Sequence, residues 1–368
     1  MAVLLLLSSR LALSAPEPTL SGCLTRVSTA LGHAYDLRDS TGQQMASLHV
    51  LEAAAARPYV GLYMAMVGAQ WEVRLATSPD LLGWTFRRTL LANADMPYVP
   101  HARVLEGSEW VLLAHEQWMS PASRSPSRLG FKLYYNVSAL LAGEHFNSFV
   151  APLGPGASSG LEGTPSVYNA SFVFREGYYM VDATVGFHYN DAAGKDQVAH
   201  GRLSSFGPTA ISPSWSSAPS LAYNKAFIAA GAIGNIGQRD SGSLFNTEFV
   251  LQEANVGAMP PTIWKDWRVW LYLMAPGEGY PPNGSGCLQM LLPQTDGNST
   301  AFRNPSFSIV ACPETYTQSR SKQHTADDKC IFVSYFIFGE GAAEGEAGPV
   351  AFYNRLPTSI TEVPCVDH

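Results

Sequence analysis

Two histidines stand at matching places in successive strand-like segments, His49 in SLHV and His101 in VPHA. If these segments run side by side, both imidazoles face the same space. Such a pair can bind a metal, hydrogen-bond a ligand or exchange protons near neutral pH. A packed, hydrogen-bonded pair without a ligand is the alternative, and the sequence leaves both interpretations open.

Three carboxylates lie beside predicted strands. Glu162 precedes a small turn. Asp240 lies before a strand that we expect to begin at Glu248, and Glu253 follows the start of that strand. Two facing carboxyl groups can supply a general acid and a general base. Glu248 and Glu253 are five residues apart, so at most one of them faces a given side of a regular strand. Arg239, next to Asp240, can bind a hydroxyl or a carboxylate bidentately.

Two further polar residues are candidates for ligand binding: Asp95, before the second strand segment, and His115 in LLAHEQW. HEQW lacks the second histidine of a metalloprotease helix. The alternative for the carboxylates is a structural role. In that case Glu162 caps backbone N–H groups, and Asp95, Asp240 and Glu253 are solvated or turn residues.

The elements that would position these residues repeat along the chain. Five segments each combine a strand rich in aromatic or β-branched residues, a turn and a second such strand, and they begin at Ser47, Tyr98, Glu162, Glu248 and Asn304. Each segment is followed by material for two outer strands. Five four-stranded units predict an all-β fold, a five-bladed β-propeller with antiparallel blades around a central funnel. A two-sheet sandwich is the alternative, because it also contains many short strands.

We expect residues 33–368 to form this single propeller domain, preceded by a lead-in at 16–32. Helical patterns fit only residues 51–56 and 137–142. Residues 1–15 resemble a secretory signal peptide, although Arg10 interrupts the apolar run. A frayed start or a wrongly assigned first exon is the alternative for this segment.

Secretion is also favoured by four Asn-x-Ser/Thr sequons, at Asn136, Asn169, Asn283 and Asn298. We therefore expect an extracellular glycoprotein with disulfide bonds. The five cysteines show no CxxC spacing, which argues against a zinc site. We expect pairs Cys312–Cys330 and Cys23–Cys365, with Cys287 left over.

Composition excludes several partners. The formal net charge of -7 and the scattered basic residues give no reason to expect nucleic acid or an anionic membrane. There is no phosphate-binding loop or dinucleotide fingerprint. We expect a monomer with no cofactor. No residue pattern supports a structural ion in the channel.

Two stretches carry a resemblance to a known family. LATSPDLLGWTF resembles the Ser-x-Asp-Leu-x-x-Trp turn of five-bladed β-propeller glycoside hydrolases, the arabinanase, β-xylosidase and invertase-like group. LEGTPSVYNASFVFREGYYMV is similar to their Glu-Gly-Pro…Gly-Tyr-Tyr-Tyr blade start. The aspartates of that family are replaced here by Ser47 or His49 in the first blade, by His101 in the second and by Thr164 in the third.

The resemblance implies a secreted protein that cleaves or transfers glycosyl groups of a poly- or oligosaccharide by carboxylate acid/base chemistry in the funnel. Glu162 is then the best candidate for the general acid, with Asp240 and Glu253 as replacement carboxylates. Ligand-binding candidates are His49, Asp95, His101, Arg239 and His115. The replaced aspartates keep an alternative open, an inactive propeller that binds carbohydrate or a protein partner.

Overall fold

The computed structural model describes residues 19–52, 58–92, 97–120, 123–154, 160–175, 177–208, 213–244, 246–257, 264–314 and 329–356. Within these ranges the strands form five four-stranded antiparallel sheets. The predicted five-bladed β-propeller is confirmed, and the sandwich alternative is wrong. The predicted signal peptide lies outside the described residues.

In each of the first four blades, the strands follow one another in the chain from the axis outward. Blade one contains β2–β5, at Ala46–Val50, Tyr59–Val67, Gln70–Ser78 and Thr85–Leu91. Blade two contains β6–β9, at Pro97–Val104, Val111–Ser120, Ser123–Tyr134 and Asn147–Val150. Blade three contains β10–β13, at Glu162–Arg175, Tyr178–Asn190, Asp196–Phe206 and Ser214–Pro219. Blade four contains β14–β17, at Ile236–Leu244, Thr247–Asn255, Trp267–Leu273 and Cys287–Leu291.

Blade five combines both ends of the described chain. From the axis outward, its first three strands are β18, β19 and β20, at Phe302–Ala311, Lys329–Ile337 and Gly348–Arg355. Its outer strand is β1, Gly32–Ala34, which pairs with β20 so that Gly32 faces Tyr353. The ring is therefore closed by hydrogen bonds between the first strand and the last one.

The five inner strands surround one axis. Each of β2, β6, β10, β14 and β18 contacts the next, and β18 contacts β2 again. Buried apolar clusters fill the spaces between neighbouring blades, for example around Leu112 and Val185 between blades two and three. Burial of the blade faces therefore stabilises the ring, and the strand starts around the axis are left for polar groups.

Three short helices lie at the edges of the described propeller: α1, α2 and α3, at Leu20–Thr25, Val137–Ala142 and Leu221–Ala229. Helix α2 was predicted; the Asn136 side chain caps it, and Gly143 ends it with a φ of 69°. The other predicted helix fails at Leu51 and Glu52, which are not helical, and residues 53–57 lie outside the described ranges. No helix in the described ranges is long and apolar enough to cross a membrane.

The Ser-Pro-Asp turn of blade one forms as its residue types predict. Ser78 Oγ accepts from Leu81 N at 2.8 Å, and Asp80 Oδ1 accepts from Gly83 N at 2.8 Å. Trp84 folds back onto the blade and is buried, and its indole N–H donates to Leu81 O at 2.9 Å. Gly61 makes room for this ring, because a Cβ there would lie 2.7 Å from the Trp84 side chain.

Three further sequence predictions are wrong. Blade four does not begin at Glu248: its inner strand is β14, which contains Asp240, and Glu248 and Glu253 lie on the second strand. The segment IGQRDSGSL lacks the apolar run expected of a strand because it borders the polar channel. Cys23 is a free, buried thiol and Cys287 is disulfide-bonded, so neither matches its prediction. The Cys312–Cys330 bond is confirmed.

Candidate functional site in the axial funnel

The inner strands enter the funnel with a left-handed backbone kink. Four residues at corresponding points have positive φ: Ser47 at 50°, Val99 at 35°, Thr164 at 47° and Asn304 at 51°. None is glycine, so each conformation is strained, by roughly 1–3 kcal/mol. Each kink coincides with a register shift against the second strand. Strain repeated at one level of the ring marks that level as the candidate functional site.

A pocket of about 280 Å³, counting its open mouth, lies at this level. Most of that volume is open solvent, and the enclosed part is far smaller than an ordinary ligand site, so the pocket can take only one small substituent of a ligand. Its apolar walls are Val99, Pro100, Pro165 and Pro305. Its polar lining comes from Ser47, His49, His101, Arg239, Asn304 and Ser306.

Beneath the pocket, three blades meet at Asp240. Its Oδ1 accepts from His101 Nε2 at 3.0 Å and from Ser241 N at 2.9 Å. Its Oδ2 accepts from Ser306 Oγ at 3.0 Å and from Phe307 N at 3.1 Å. The carboxylate is buried and does not line the pocket. It therefore acts as a hydrogen-bonded anchor between blades two, four and five.

The two histidines predicted to face one space are in ring contact. The centroids of His49 and His101 are 4.1 Å apart. His49 Nε2 lies 2.9 Å from Ala102 O, and its Nδ1 lies 3.3 Å from Ser306 Oγ and 3.6 Å from Asp240 Oδ2. Blades one, two and five thus share one hydrogen-bond network.

Protonation in this network follows from burial and charge. Burial lowers the pKa of His101 to about 4, with a further contribution from His49, although Asp240 opposes the shift. Burial alone would raise the pKa of Asp240, but His101 and His49 outweigh it and hold the pKa far below its usual range. At neutral pH His101 is neutral and Asp240 is a carboxylate, which cannot act as a general acid.

His49, His101 and Asp240 also form a candidate cation site, since one ligand atom from each lies within 4.8 Å of the others. The hydrogen bonds already present use these atoms, however. Val167 N donates to His101 Nδ1 at 3.3 Å, so His101 Nε2 carries the proton that Asp240 accepts. A cation would have to replace that proton. The three side chains already hydrogen-bond to one another and to neighbouring protein groups, so their hydrogen bonds are complete without a cation.

Arg239 reaches the pocket from blade four and is only 6% exposed. Its Nη2 donates to Glu253 Oε1 in a close contact. Glu253 also accepts from Arg303 Nε at 3.3 Å and from Asn304 N at 2.7 Å. Burial alone would raise the pKa of Glu253, but Arg239 and Arg303 outweigh it and lower the pKa. Glu253 thus holds two guanidinium groups in place.

Glu162 does not join this group. Its Oε1 accepts from Gly154 N at 2.8 Å, next to Ser217 on the outer strand of blade three, and it does not line the axial pocket. Its Oε2 is buried without a partner. Burial raises the pKa of this carboxyl, although Gly154 N and Arg128 lower it. A raised pKa is what a general acid needs, but this carboxyl lies between blades two and three and not in the axial pocket.

The remaining candidates are placed as follows. His115 is buried, with Nδ1 3.2 Å from Glu116 O. Asp95 lies outside the described residues. Glu116, which the LLAHEQW stretch also offers as a possible funnel group, is fully buried and accepts from Trp118 Nε1 at 3.0 Å and from Thr164 N at 3.3 Å.

Partly or fully exposed aromatic rings lie at the pocket end of blades one, two, four and five. We call them the aromatic rim; they are Trp71, Tyr98, Trp118, Trp264, Phe336 and Phe338. Tyr98 precedes the pocket residue Val99, and its ring lies 5.4 Å from both Trp71 and Trp118. Phe336 packs against the same group.

The other side of the rim belongs to blades four and five. Phe338 lies 5.4 Å from Phe336 and stacks on Trp264 at 4.7 Å. Arg303 lies over the Trp264 ring at 5.3 Å and over Trp267 at 5.0 Å. Flat apolar faces therefore border a polar pocket.

No protein-family model matches this chain, and no curated protein matches it in sequence. Solved structures do. An α-L-arabinofuranosidase from Lactobacillus brevis superposes with a TM-score of 0.52 and 8% identity, over 89% of this chain and 97% of its own. A thermostable family-43 glycoside hydrolase gives 0.50 and 10%, over 91% and 98% of the two chains. The resemblance to five-bladed glycoside hydrolases is confirmed at the level of the fold.

Proposed function

We propose that this protein is a carbohydrate-binding propeller with the architecture of the glycoside hydrolases. The observation that carries the proposal is the aromatic rim around the polar axial pocket. Apolar ring faces stack on sugar rings, while hydroxyl, imidazole, amide and guanidinium groups below them hydrogen-bond to sugar oxygens. The carboxylates nearest the pocket, Asp240 and Glu253, are fully engaged with the protein. Binding therefore has better support than carboxylate-pair hydrolysis in this pocket.

Trp264 provides the test, since it is 37% exposed and stacks on Phe338. We expect wild-type protein to bind members of an oligosaccharide panel in calorimetry, and Trp264→Ala to weaken binding roughly tenfold, by loss of one stacking surface. Tyr179→Ala is the control, because Tyr179 is 55% exposed at the opposite end of blade three. Equal weakening by both substitutions, or no binding at all, would contradict the proposal.

Hydrolysis is the second candidate function, and Glu162 favours it. Its raised pKa and unpartnered Oε2 are the properties that a general acid needs. A substrate would have to extend from the axial pocket to the space between blades two and three. If aryl glycosides are cleaved, Glu162→Gln should abolish turnover with little change in melting temperature. Full activity in that variant would exclude Glu162 as the acid.

Secretion belongs to the same proposal. Asn169, Asn283 and Asn298 of the predicted sequons are exposed, and the Cys312–Cys330 bond suits an oxidising compartment. A monomeric state remains a prediction.

A further inference from the structure

Two side chains that line the axial pocket from different blades carry buried donors without partners. Arg239 is buried, yet its Nε and Nη1 make no hydrogen bond, and Ser47 Oγ is likewise buried and unpaired. Nε carries one N–H and Nη1 carries two, so three of the five guanidinium N–H groups are unused. Leaving such groups unpaired costs free energy, which a ligand that accepts these hydrogen bonds would recover.

Charge around Arg239 is also unbalanced. Arg239 and Arg303 share a single carboxylate, Glu253. The other oxygen of Glu253 accepts a hydrogen bond from Asn304 N. These three side chains together carry one excess positive charge. The next carboxylate, Asp240, has both oxygens committed to donors below the pocket. The pocket thus presents a cation and a hydroxyl, with no carboxylate among its lining residues.

Only a small group can reach these donors. The pocket is narrowed by Pro100, Pro165 and Pro305, and the aromatic rim stands above it. A sugar ring on the rim would direct one substituent downward. A neutral hydroxyl accepts few hydrogen bonds and leaves the charge unbalanced, whereas a carboxylate or sulfate oxygen set accepts several and balances it.

We propose that the axial pocket recognises the anionic substituent of an acidic sugar, held by Arg239 and Ser47. The proposal rests on the proposed carbohydrate binding and adds the class of ligand to it. It treats Glu253 and Arg303 as positioning residues, which orient Arg239 and leave its Nε and Nη1 free for the ligand.

The test compares three oligosaccharides of equal length in calorimetry: a uronic acid oligomer, a sulfated oligomer and a neutral oligomer. We expect at least one acidic oligomer to bind wild-type protein roughly ten- to a hundredfold more tightly than the neutral one, with the difference shrinking as salt rises. The two acidic arms distinguish carboxylate from sulfate. Arg239→Gln should remove the preference for acidic ligands.

Ser47→Ala is a second test variant in case Arg239→Gln misfolds. It should fold normally, because no hydrogen bond within the protein uses this hydroxyl. It should weaken acidic binding about fivefold and leave the melting temperature unchanged. Equal binding of acidic and neutral oligomers by the wild type would overturn the inference and leave carbohydrate binding standing. Failure of all three to bind would overturn the proposed function itself.

Discussion

At the scale of single residues, Asp240 contacts side chains or backbone groups of four different blades. Its two oxygens receive donors from blades two, four and five, and His49 of blade one lies 3.6 Å from it. A buried carboxylate is tolerated only when such donors replace its lost hydration. The same network therefore fixes how the blades meet below the pocket.

Two buried histidines should make stability depend on pH. Burial lowers the pKa of His200 to about 3 and that of His101 to about 4. Unfolded histidine titrates near 6.5, so these groups stabilise the fold above that pH, and the contribution is lost as pH falls from about 6.5 toward 4. We expect the free energy of unfolding, measured by urea denaturation, to fall between about pH 7 and 4.5 by roughly 2 kcal/mol for each histidine.

The test variant is His200→Gln. It removes a buried titrating group and should make the pH dependence shallower than that of the wild type. An unchanged slope in His200→Gln would contradict the assignment.

Sequence alone could place some of these residues and not others. His49 and His101 were predictable as a pair because they occupy matching places in successive blades. The contact between His101 and Asp240 was not predictable, because 139 residues separate them in the chain and they meet only at the axis of the folded ring. The unpaired donors of Arg239 and Ser47 depend on hydrogen-bond partners, which no sequence pattern specifies.

At the scale of elements, the three-residue strand β1 completes blade five and closes the ring. Gly32 lies against Tyr353, and a Cβ at Gly32 would come within 2.7 Å of that ring. Gly32→Ala should therefore displace the closing strand and lower the free energy of unfolding by roughly 1–3 kcal/mol, the usual cost of overpacking. Urea denaturation measures this directly.

Gly279→Ala is the control for that substitution, because nothing lies within 4 Å of a Cβ at Gly279. Its midpoint should match the wild type. Equal midpoints for Gly32→Ala and Gly279→Ala would show that the closing strand does not depend on this close approach.

Strand prediction succeeded where strands pack between blades and failed where they border the channel. The aromatic runs of β3, β7, β11 and β19 were visible as strands. Inner strand β14 is rich in glycine and polar residues, so its sequence resembles a loop. Helix α3 was also missed, because apolar residues lie all around it and leave no one-sided pattern to detect.

At the scale of the whole molecule, the number of blades was predictable because the repeat recurs five times. Ring closure was not, since the lead-in at 16–32 gave no sign that β1 would complete blade five. The Cys312–Cys330 bond links β18 to β19 in that same blade. The blade with the chain ends therefore also holds a covalent link.

Closure by the first strand also has a consequence during synthesis on the ribosome. The hydrogen-bonding edge of β20 exists only after residues 348–355 have been made, and it stays uncovered until residues 32–34 dock onto it. An uncovered edge can instead accept the corresponding strand of another nascent copy. Intertwined dimers that exchange β1 are thus the misassembled form that this topology favours when many copies fold close together.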